Sequence, residues 1–168
     1  DPNIPLPQEK IVRVIIPKGQ ACSICLSEDL VAPRMVSCGH VFCSTCLLHF
    51  FSIEEKPSKK DATTYTKKKK YKECPLCSSL IRKETVKPVS FVEVDEKLEL
   101  PTVGHDIVLT LMWKSRGSML PLPVNLSIDP SNLGGFPPVT LTELSPYARI
   151  MKCDSEYIID LYNKDIQD

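Results

Sequence analysis

The sequence SCGHVFCSTC, residues 37–46, places three cysteines and one histidine within nine consecutive positions. Two more Cys-x-x-Cys pairs flank it, Cys22 with Cys25 and Cys74 with Cys77. Two residues between cysteines allow a tight turn to direct both sulfurs at one ion, which leaves two tetrahedral positions for a second pair. The pattern therefore predicts two closed, four-ligand metal sites. The candidate ligands are Cys22, Cys25, Cys38, His40, Cys43, Cys46, Cys74 and Cys77.

Zinc is the metal that this ligand set favours. Thiolates with one imidazole select Zn²⁺, and a site closed by four protein ligands has no open position for a catalytic water. A disulfide framework or a set of unpaired buried cysteines would not require such regular pairs. We therefore predict two zinc ions as cofactors. The spacing alone leaves open which pairs share an ion.

Composition narrows the class of protein further. The chain has 168 residues, of which 42% are hydrophobic and 25% charged, as in a globular protein. The net charge is zero, but residues 52–72 contain eight lysines against three acidic residues, a local balance of +5. No apolar run approaches the roughly 18 residues of a membrane helix. We see no leader sequence and expect a reducing, cytoplasmic environment without membrane contact, where clustered cysteines bind metal more often than they form disulfides.

The segments around the metal ligands have the patterns of regular structure. Residues 43–52 lack proline and glycine and predict a short helix, on which Leu47, Phe50 and Phe51 form one apolar stripe. Residues 10–19 predict a strand with alternating apolar positions. Residues 106–123 predict a hairpin that turns at KSRG. Its apolar face would consist of Ile107, Leu109, Leu111 and Trp113.

The C-terminal residues predict helices. Ser145 can cap a first helix with Pro146 at its first position, and Asp154 can cap a second helix that carries Tyr157, Ile158 and Leu161. We therefore expect an α+β protein, with a small two-zinc finger, a flanking strand, a β-hairpin and C-terminal helices. The expected divisions are an extended arm and strand at 1–19, the zinc finger at 20–80 with a lysine-rich insert at 52–72, and an α+β extension at 81–168.

The ligand order, three cysteines, a histidine and four cysteines, resembles that of the RING finger family. This resemblance implies that the two sites interleave along the chain. The first ion would be held by Cys22, Cys25, Cys43 and Cys46. The second would be held by Cys38, His40, Cys74 and Cys77. RING fingers typically act as ubiquitin ligases, which bind a ubiquitin-conjugating enzyme and hold its ubiquitin thioester in a reactive pose without a covalent intermediate.

The same resemblance assigns a docking surface for the conjugating enzyme. It consists of Ile24 before the second cysteine, Phe50 on the short helix, and Pro75 with Leu76 between the final cysteines. Many active RING fingers carry a basic residue directly after the last cysteine, where this sequence has Ser78. The difference implies either weak activity or another element that stabilises the thioester complex. No catalytic residue is expected in this chain, because the acid–base chemistry would belong to the conjugating enzyme.

Within the RING fingers, the sequence is most similar to the RING finger protein 10 family. The likeness lies in VRVIIP, SICL, PRMVSCGHVFCSTCLLHF, KECPLC, VKPVSFVEV and IVLTLM, between residues 10 and 120. That family modifies proteins of the small ribosomal subunit during ribosome quality control. The resemblance therefore implies ribosomal proteins and rRNA as partners besides the conjugating enzyme.

A second interpretation is a non-catalytic zinc scaffold that binds protein or ribosomal RNA. Ser78 and the lysine-rich insert favour it, because clustered lysines bind phosphates in a salt-sensitive, sequence-independent way. The insert is also typical of a solvated loop, which lengthens a finger at small entropic cost. The apolar trio of Ile24, Phe50 and Pro75 favours the ligase, since a scaffold has no need of it.

Overall fold

The computed structural model describes residues 5–53, 70–92, 103–133 and 135–167. Most of the lysine-rich insert lies outside the described residues. Within them the protein contains helices and short strands, which confirms the expected α+β class. The α-helices are α1 (Ser44–Ser52) and α2 (Ser155–Gln167). The strands are β1 (Val14–Pro17), β2 (Arg34–Met35), β3 (Val41–Phe42), β4 (Lys72–Glu73), β5 (Leu80–Ile81), β6 (Lys87–Val92), β7 (Met112–Trp113) and β8 (Leu122–Pro123).

The chain forms two compact units. The first comprises Asp1–Asp95 with Asp165–Asp168, and the second comprises Glu96–Lys164. Short 3₁₀ turns occur in both units, at Gln8–Lys10, Lys83–Thr85, Val124–Leu126, Pro130–Leu133 and Thr142–Leu144. Among the described residues, none of the helices combines the length and the apolar character that a membrane crossing needs.

A four-stranded sheet in the order β1-β6-β2-β3 organises the first unit. Strand β1 runs parallel to β6, from Val14 opposite Val89 to Pro17 opposite Val92. Strand β2 pairs antiparallel with both β6 and β3. The predicted N-terminal strand is present over Val14–Pro17, shorter than the predicted residues 10–19, and its half-buried residues alternate with exposed Ile15 and Pro17. The strands of this sheet come from all three of the predicted divisions, 1–19, 20–80 and 81–168. The division of the chain into these domains stays a prediction.

Proline is accommodated at two positions in this sheet. Pro17 ends β1, which lies at the edge, where a missing N–H removes no ladder bond. Pro88 lies inside β6, but the pairing of β6 with β1 begins one residue later, at Val89. The Val89 N–H donates to the Pro33 carbonyl over 2.9 Å. The residue after the proline therefore keeps its hydrogen bond to the segment that leads into β2.

The core of the first unit is made of apolar side chains and metal ligands together. Phe42, Ile81 and Cys22 are fully buried, and Leu47 from α1 joins them. Phe50 and Phe51 pack against this cluster, which confirms the predicted apolar stripe on α1. The full set of buried members is Cys22, Val36, Phe42, Cys43, Leu47, Cys74 and Ile81. So few apolar residues require the metal ions as additional support.

The predicted hairpin of the second unit is present but much shorter than expected. Strands β7 and β8 pair antiparallel over two residues each, with Trp113 opposite Leu122. Leu109 and Leu111, on the predicted apolar face, are 82% and 75% exposed and lie outside the strands. A period-two pattern produces a strand only where a neighbouring strand supplies hydrogen bonds, and β8 supplies them for two residues. The predicted hairpin is therefore confirmed only for these two residue pairs, and the longer apolar face was wrong.

Of the two predicted C-terminal helices, the second is confirmed and the first is wrong. Helix α2 begins as expected after Asp154, whose Oδ1 accepts the Tyr157 N–H over 2.9 Å. The chain at Ser145 instead leaves a 3₁₀ turn and soon becomes extended. There Lys152 forms a parallel bridge with Pro138, and its carbonyl accepts the Val139 N–H over 2.7 Å. This extended backbone is incompatible with a helix continuing from Pro146.

Candidate metal centre

Two of the four ligand pairs lie on turns of the same construction. In the first, the Leu26 N–H donates to the Cys22 carbonyl over 2.7 Å. In the second, the Ser78 N–H donates to the Cys74 carbonyl over 2.9 Å. Leu26 and Ser78 both have left-handed backbones, with φ of 61° and 57°. The left-handed residue after each Cys-x-x-Cys brings the chain back, so that both sulfurs of a pair point to the same side.

The other two pairs are positioned by β3 and α1. Cys38 and His40 lie on the turn between β2 and β3, where Gly39 has φ of 91° and its N–H donates to the Val36 carbonyl. Glycine suits this position because a side chain there would be strained. Cys43 precedes α1 and Cys46 lies in its first turn. Residues three apart on a helix share a face, so both sulfurs point the same way.

The structure brings the eight predicted ligands into two clusters. Within each cluster the ligand atoms all lie within 4.8 Å of one another. The four ligand pairs alternate between the two clusters along the chain, so the sites interleave. The first contains Cys22, Cys25, Cys43 and Cys46. The second contains Cys38, His40, Cys74 and Cys77. The pairing that spacing left open, and that the family resemblance implied, is confirmed.

The distances within these clusters fit tetrahedral zinc. With Zn–S of about 2.3 Å and Zn–N of about 2.0–2.1 Å, a tetrahedron separates two sulfurs by roughly 3.8 Å and sulfur from nitrogen by roughly 3.6 Å. The Sγ atoms of Cys25 and Cys43 are 3.8 Å apart. His40 Nδ1 lies 3.3 Å from Cys38 Sγ and 3.5 Å from Cys74 Sγ. All eight cysteines of the chain are free thiols, which excludes the disulfide interpretation.

The electrostatics of the clusters also call for a cation. Burial opposes ionisation of Cys22, but hydrogen bonds from the backbone of Cys25, Cys43 and Ile24 lower its pKa to about 6. Burial raises the pKa of Cys46 to about 12, and the neighbouring sulfurs of Cys25 and Cys22 add to this effect. A first thiolate therefore makes a second one unfavourable. A divalent ion removes that conflict, because it neutralises the crowded sulfurs.

The second cluster shows the same contrast between its thiols. Hydrogen bonds to the hydroxyl and backbone of Ser79 lower the pKa of Cys77 to about 6. Burial raises the pKa of Cys38 to about 11, and the nearby Cys74 and Cys77 sulfurs contribute to the rise. Both clusters thus have the donor set, geometry and charge requirement of a closed zinc site. Such sites stabilise a fold, and neither leaves a coordination position for substrate.

Three of the four predicted docking side chains are exposed. Ile24 is 39% exposed, Leu76 is 52% exposed, and Pro75 beside Leu76 is also exposed. Phe50, in contrast, is half-buried, because it packs against the core. Its ring meets the Phe51 ring edge-on, with 5.9 Å between the two ring centres. The structure therefore presents apolar groups on both Cys-x-x-Cys turns. Their role in binding a conjugating enzyme stays a prediction.

Two histidines and one cysteine remain outside the clusters. His49 and His105 are exposed, and neither belongs to one of the two clusters. Cys153 is half-buried and belongs to neither cluster.

The residue that sequence reasoning missed is Lys72. Its ammonium group contacts the end of α1 and the ring of Phe50. In the sequence it looks like one more lysine of the basic insert, and only its place two residues before Cys74 could have distinguished it.

The interleaved sites define a RING arrangement, and comparison with known families agrees. The family model described as RING-type zinc-finger matches residues 22–75. Residues 22–75 are thus similar to RING-type zinc fingers, and their two sites fit two zinc ions.

Three curated relatives extend the comparison. E3 ubiquitin-protein ligase MAG2 of Saccharomyces cerevisiae is 56% identical over 99% of this chain and 25% of its own length. An uncharacterized RING finger protein of Schizosaccharomyces pombe is 31% identical over 99% of this chain and 26% of its own. E3 ubiquitin-protein ligase RMA2 of Arabidopsis thaliana is 31% identical over 40% of this chain and 34% of its own. The chain thus spans about a quarter of the length of the two relatives that resemble it throughout.

Proposed function

We propose that the protein is a RING-type ubiquitin ligase, which recruits a ubiquitin-conjugating enzyme and promotes transfer of ubiquitin to substrate lysines. The observation that carries this proposal is the pair of interleaved zinc sites, in a chain 56% identical to a protein named as a ubiquitin ligase. The exposed apolar groups on the two Cys-x-x-Cys turns support it.

The proposed mechanism places the bond-making in the conjugating enzyme. Ile24, Phe50, Pro75 and Leu76 would hold that enzyme, while the zinc ions keep the two turns and α1 in place. A substrate lysine attacks the thioester carbon, the C–S bond breaks, and an isopeptide C–N bond forms as the enzyme's cysteine leaves. The RING contributes orientation of the thioester, an effect of proximity rather than covalent catalysis. Closed zinc sites are consistent with this, since they cannot activate water.

Replacement of Ile24 by alanine is expected to lower ligase activity at least tenfold without loss of zinc. The side chain is exposed and lies between two zinc ligands, so its truncation removes a contact surface rather than part of the core. The measurement is single-turnover discharge of ubiquitin from a panel of charged conjugating enzymes onto free lysine. Zinc content is measured in the same samples.

The matched control is Ile15→Ala, which truncates an isoleucine of similar exposure on β1. Wild-type rates in this control, with a large loss in Ile24→Ala, would support the ligase and its docking surface together. If the folded, two-zinc wild-type protein accelerates discharge from none of the enzymes, the zinc scaffold becomes the better interpretation. The lysine-rich insert, most of which lies outside the described residues, would then be the first segment to test for RNA binding.

We also propose proteins of the small ribosomal subunit as substrates, and the cytoplasm as the place of action. Similarity to the RING finger protein 10 family supports this, although that finer assignment stays a prediction. Purified small subunits should acquire ubiquitin in a complete reaction with this protein, and large subunits should acquire much less. Equal modification of both subunits, or of neither under conditions that discharge the conjugating enzyme, would refute the proposed substrate class.

A further inference from the structure

Lys72 joins the end of α1 to the side chain of Phe50. Its ammonium group donates to the Phe50 carbonyl over 2.5 Å and to the Ile53 carbonyl, and it lies 4.8 Å from the centre of the Phe50 ring. We propose that Lys72 is a positioning residue that fixes Phe50 for docking of the conjugating enzyme. This inference rests on the ligase function proposed above.

The carbonyl contacts have a clear electrostatic basis. The last four carbonyls of a helix lack partners within the helix, and the C-terminal end carries partial negative charge. A lysine ammonium has three N–H donors and full positive charge. Lys72 satisfies the Phe50 carbonyl in the last turn and the Ile53 carbonyl just beyond it. It therefore closes the end of α1 with a charged donor, which an ionised carboxylate, having no N–H, could not do.

The contact with the ring restricts Phe50 further. A cation within about 6 Å of an aromatic centre is attracted to the face of the ring. Phe51 meets the same ring at an interplanar angle of 64°. The Phe50 ring therefore has two neighbours that restrict its orientation, the Lys72 ammonium group and the Phe51 ring. A ring held in one orientation before binding loses less conformational entropy when a partner docks. This is how a residue that does not touch the conjugating enzyme can still affect its affinity.

Lys72 is itself held by the zinc finger. It begins β4, where it pairs with Ile81, and Ile81 is fully buried in the core. Two residues further on, Cys74 is a ligand of the second zinc site. The backbone of Lys72 is therefore held in place next to the second zinc site. Its ammonium group contacts α1, which carries Cys46 of the first site. Lys72 thus connects the segments that carry the two sites, and it does so at Phe50.

The test compares Lys72→Met with Lys70→Met. Both changes remove one positive charge from the same stretch of sequence, but Lys70 is exposed at the end of the insert. We expect Lys72→Met to raise the concentration of charged conjugating enzyme for half-maximal discharge about three- to tenfold. The maximal rate and the content of two zinc ions should remain, and Lys70→Met should behave as wild type.

A double-mutant cycle then shows whether Lys72 acts through the ring. In a Phe50→Leu background the cation–π contact is gone, so Lys72→Met should cost clearly less than in wild type. Equal costs in both backgrounds, no difference between Lys72→Met and Lys70→Met, or loss of zinc from Lys72→Met would each overturn the inference. Lys72→Arg keeps the charge and should retain part of the affinity, because its planar donors fit two carbonyls less well.

A spectroscopic measurement separates this inference from the ligase proposal. In NMR spectra of the zinc-loaded protein, Lys72→Met should shift the Phe50 ring resonances and accelerate exchange of the last amide hydrogens of α1. These changes require no conjugating enzyme. If they occur while wild type discharges no enzyme, the ligase proposal fails although the contact is real. If they are absent while wild type is active, the positioning role fails alone.

Discussion

Removal of zinc by a strong chelator is expected to unfold the zinc finger of the first unit, with both ions lost in one transition. Structural zinc contributes an apparent binding free energy of about 10–16 kcal/mol per site in finger peptides. A finger of this size holds only a small apolar core, and Cys22, Cys43 and Cys74 are themselves members of it. Without metal these buried thiols would face one another with raised or conflicting pKa values.

Interleaving is the reason to expect a single transition. Only Val41 and Phe42 separate His40 of one site from Cys43 of the other along the chain, so neither site can open alone. Zinc release, followed with a colorimetric indicator, should coincide with loss of near-UV circular dichroism. Cys153→Ser is the control, since that half-buried thiol belongs to neither cluster and should leave the transition unchanged. Two well-separated release steps would contradict the coupling of the sites.

The metal centre could be predicted almost completely from the sequence, because its geometry is encoded by short spacings. A Cys-x-x-Cys turn is a local structure, and each of the four ligand pairs lies on one turn or at one helix start. The partition between two ions was not local. Only the resemblance to RING fingers implied it, since the two pairs that share an ion do not follow one another along the chain.

Long-range contacts explain where the sequence predictions failed. The alternation of Ile107, Leu109 and Leu111 satisfied the pattern of a strand, yet a strand needs a partner, and β8 provides one for only two residues. The helix predicted from Ser145 had good local signals, but Lys152 pairs with Pro138 instead. In both places a hydrogen-bond partner distant in sequence determined the outcome, as tertiary context generally overrides propensity.

The left-handed residues after the two Cys-x-x-Cys pairs show a similar limit. Leu26 and Ser78 adopt φ values that cost a non-glycine residue of order 1 kcal/mol or more. No propensity scale would place a leucine there. The cost is offset because the turn directs two sulfurs at one ion, and zinc binding is large compared with the strain. The metal therefore determines the local backbone, rather than the backbone alone preparing a site for the metal.

Replacement of Phe42 by alanine tests how far the apolar core contributes beside the metal. Phe42 is fully buried on β3, directly before the ligand Cys43. Loss of a buried phenylalanine costs about 3–5 kcal/mol, since the remaining cavity cannot collapse fully. Metal binding and folding are linked in such fingers, so this cost should appear as weaker zinc binding. We expect the apparent zinc affinity to fall roughly 100-fold to several-thousand-fold, at 1.4 kcal/mol per factor of ten.

The measurement is competition for zinc against a chelator of known affinity at fixed pH. Leu80→Ala is the matched control, because Leu80 precedes the buried Ile81 on β5 and is 60% exposed. The control should bind zinc as wild type does. If Phe42→Ala also binds zinc with unchanged affinity, the two ions alone would hold the finger, and the apolar cluster would serve only to shape its surface. A loss of the expected size would mean that core and metal stabilise the same cooperative unit, so that a change in either one alters the docking face.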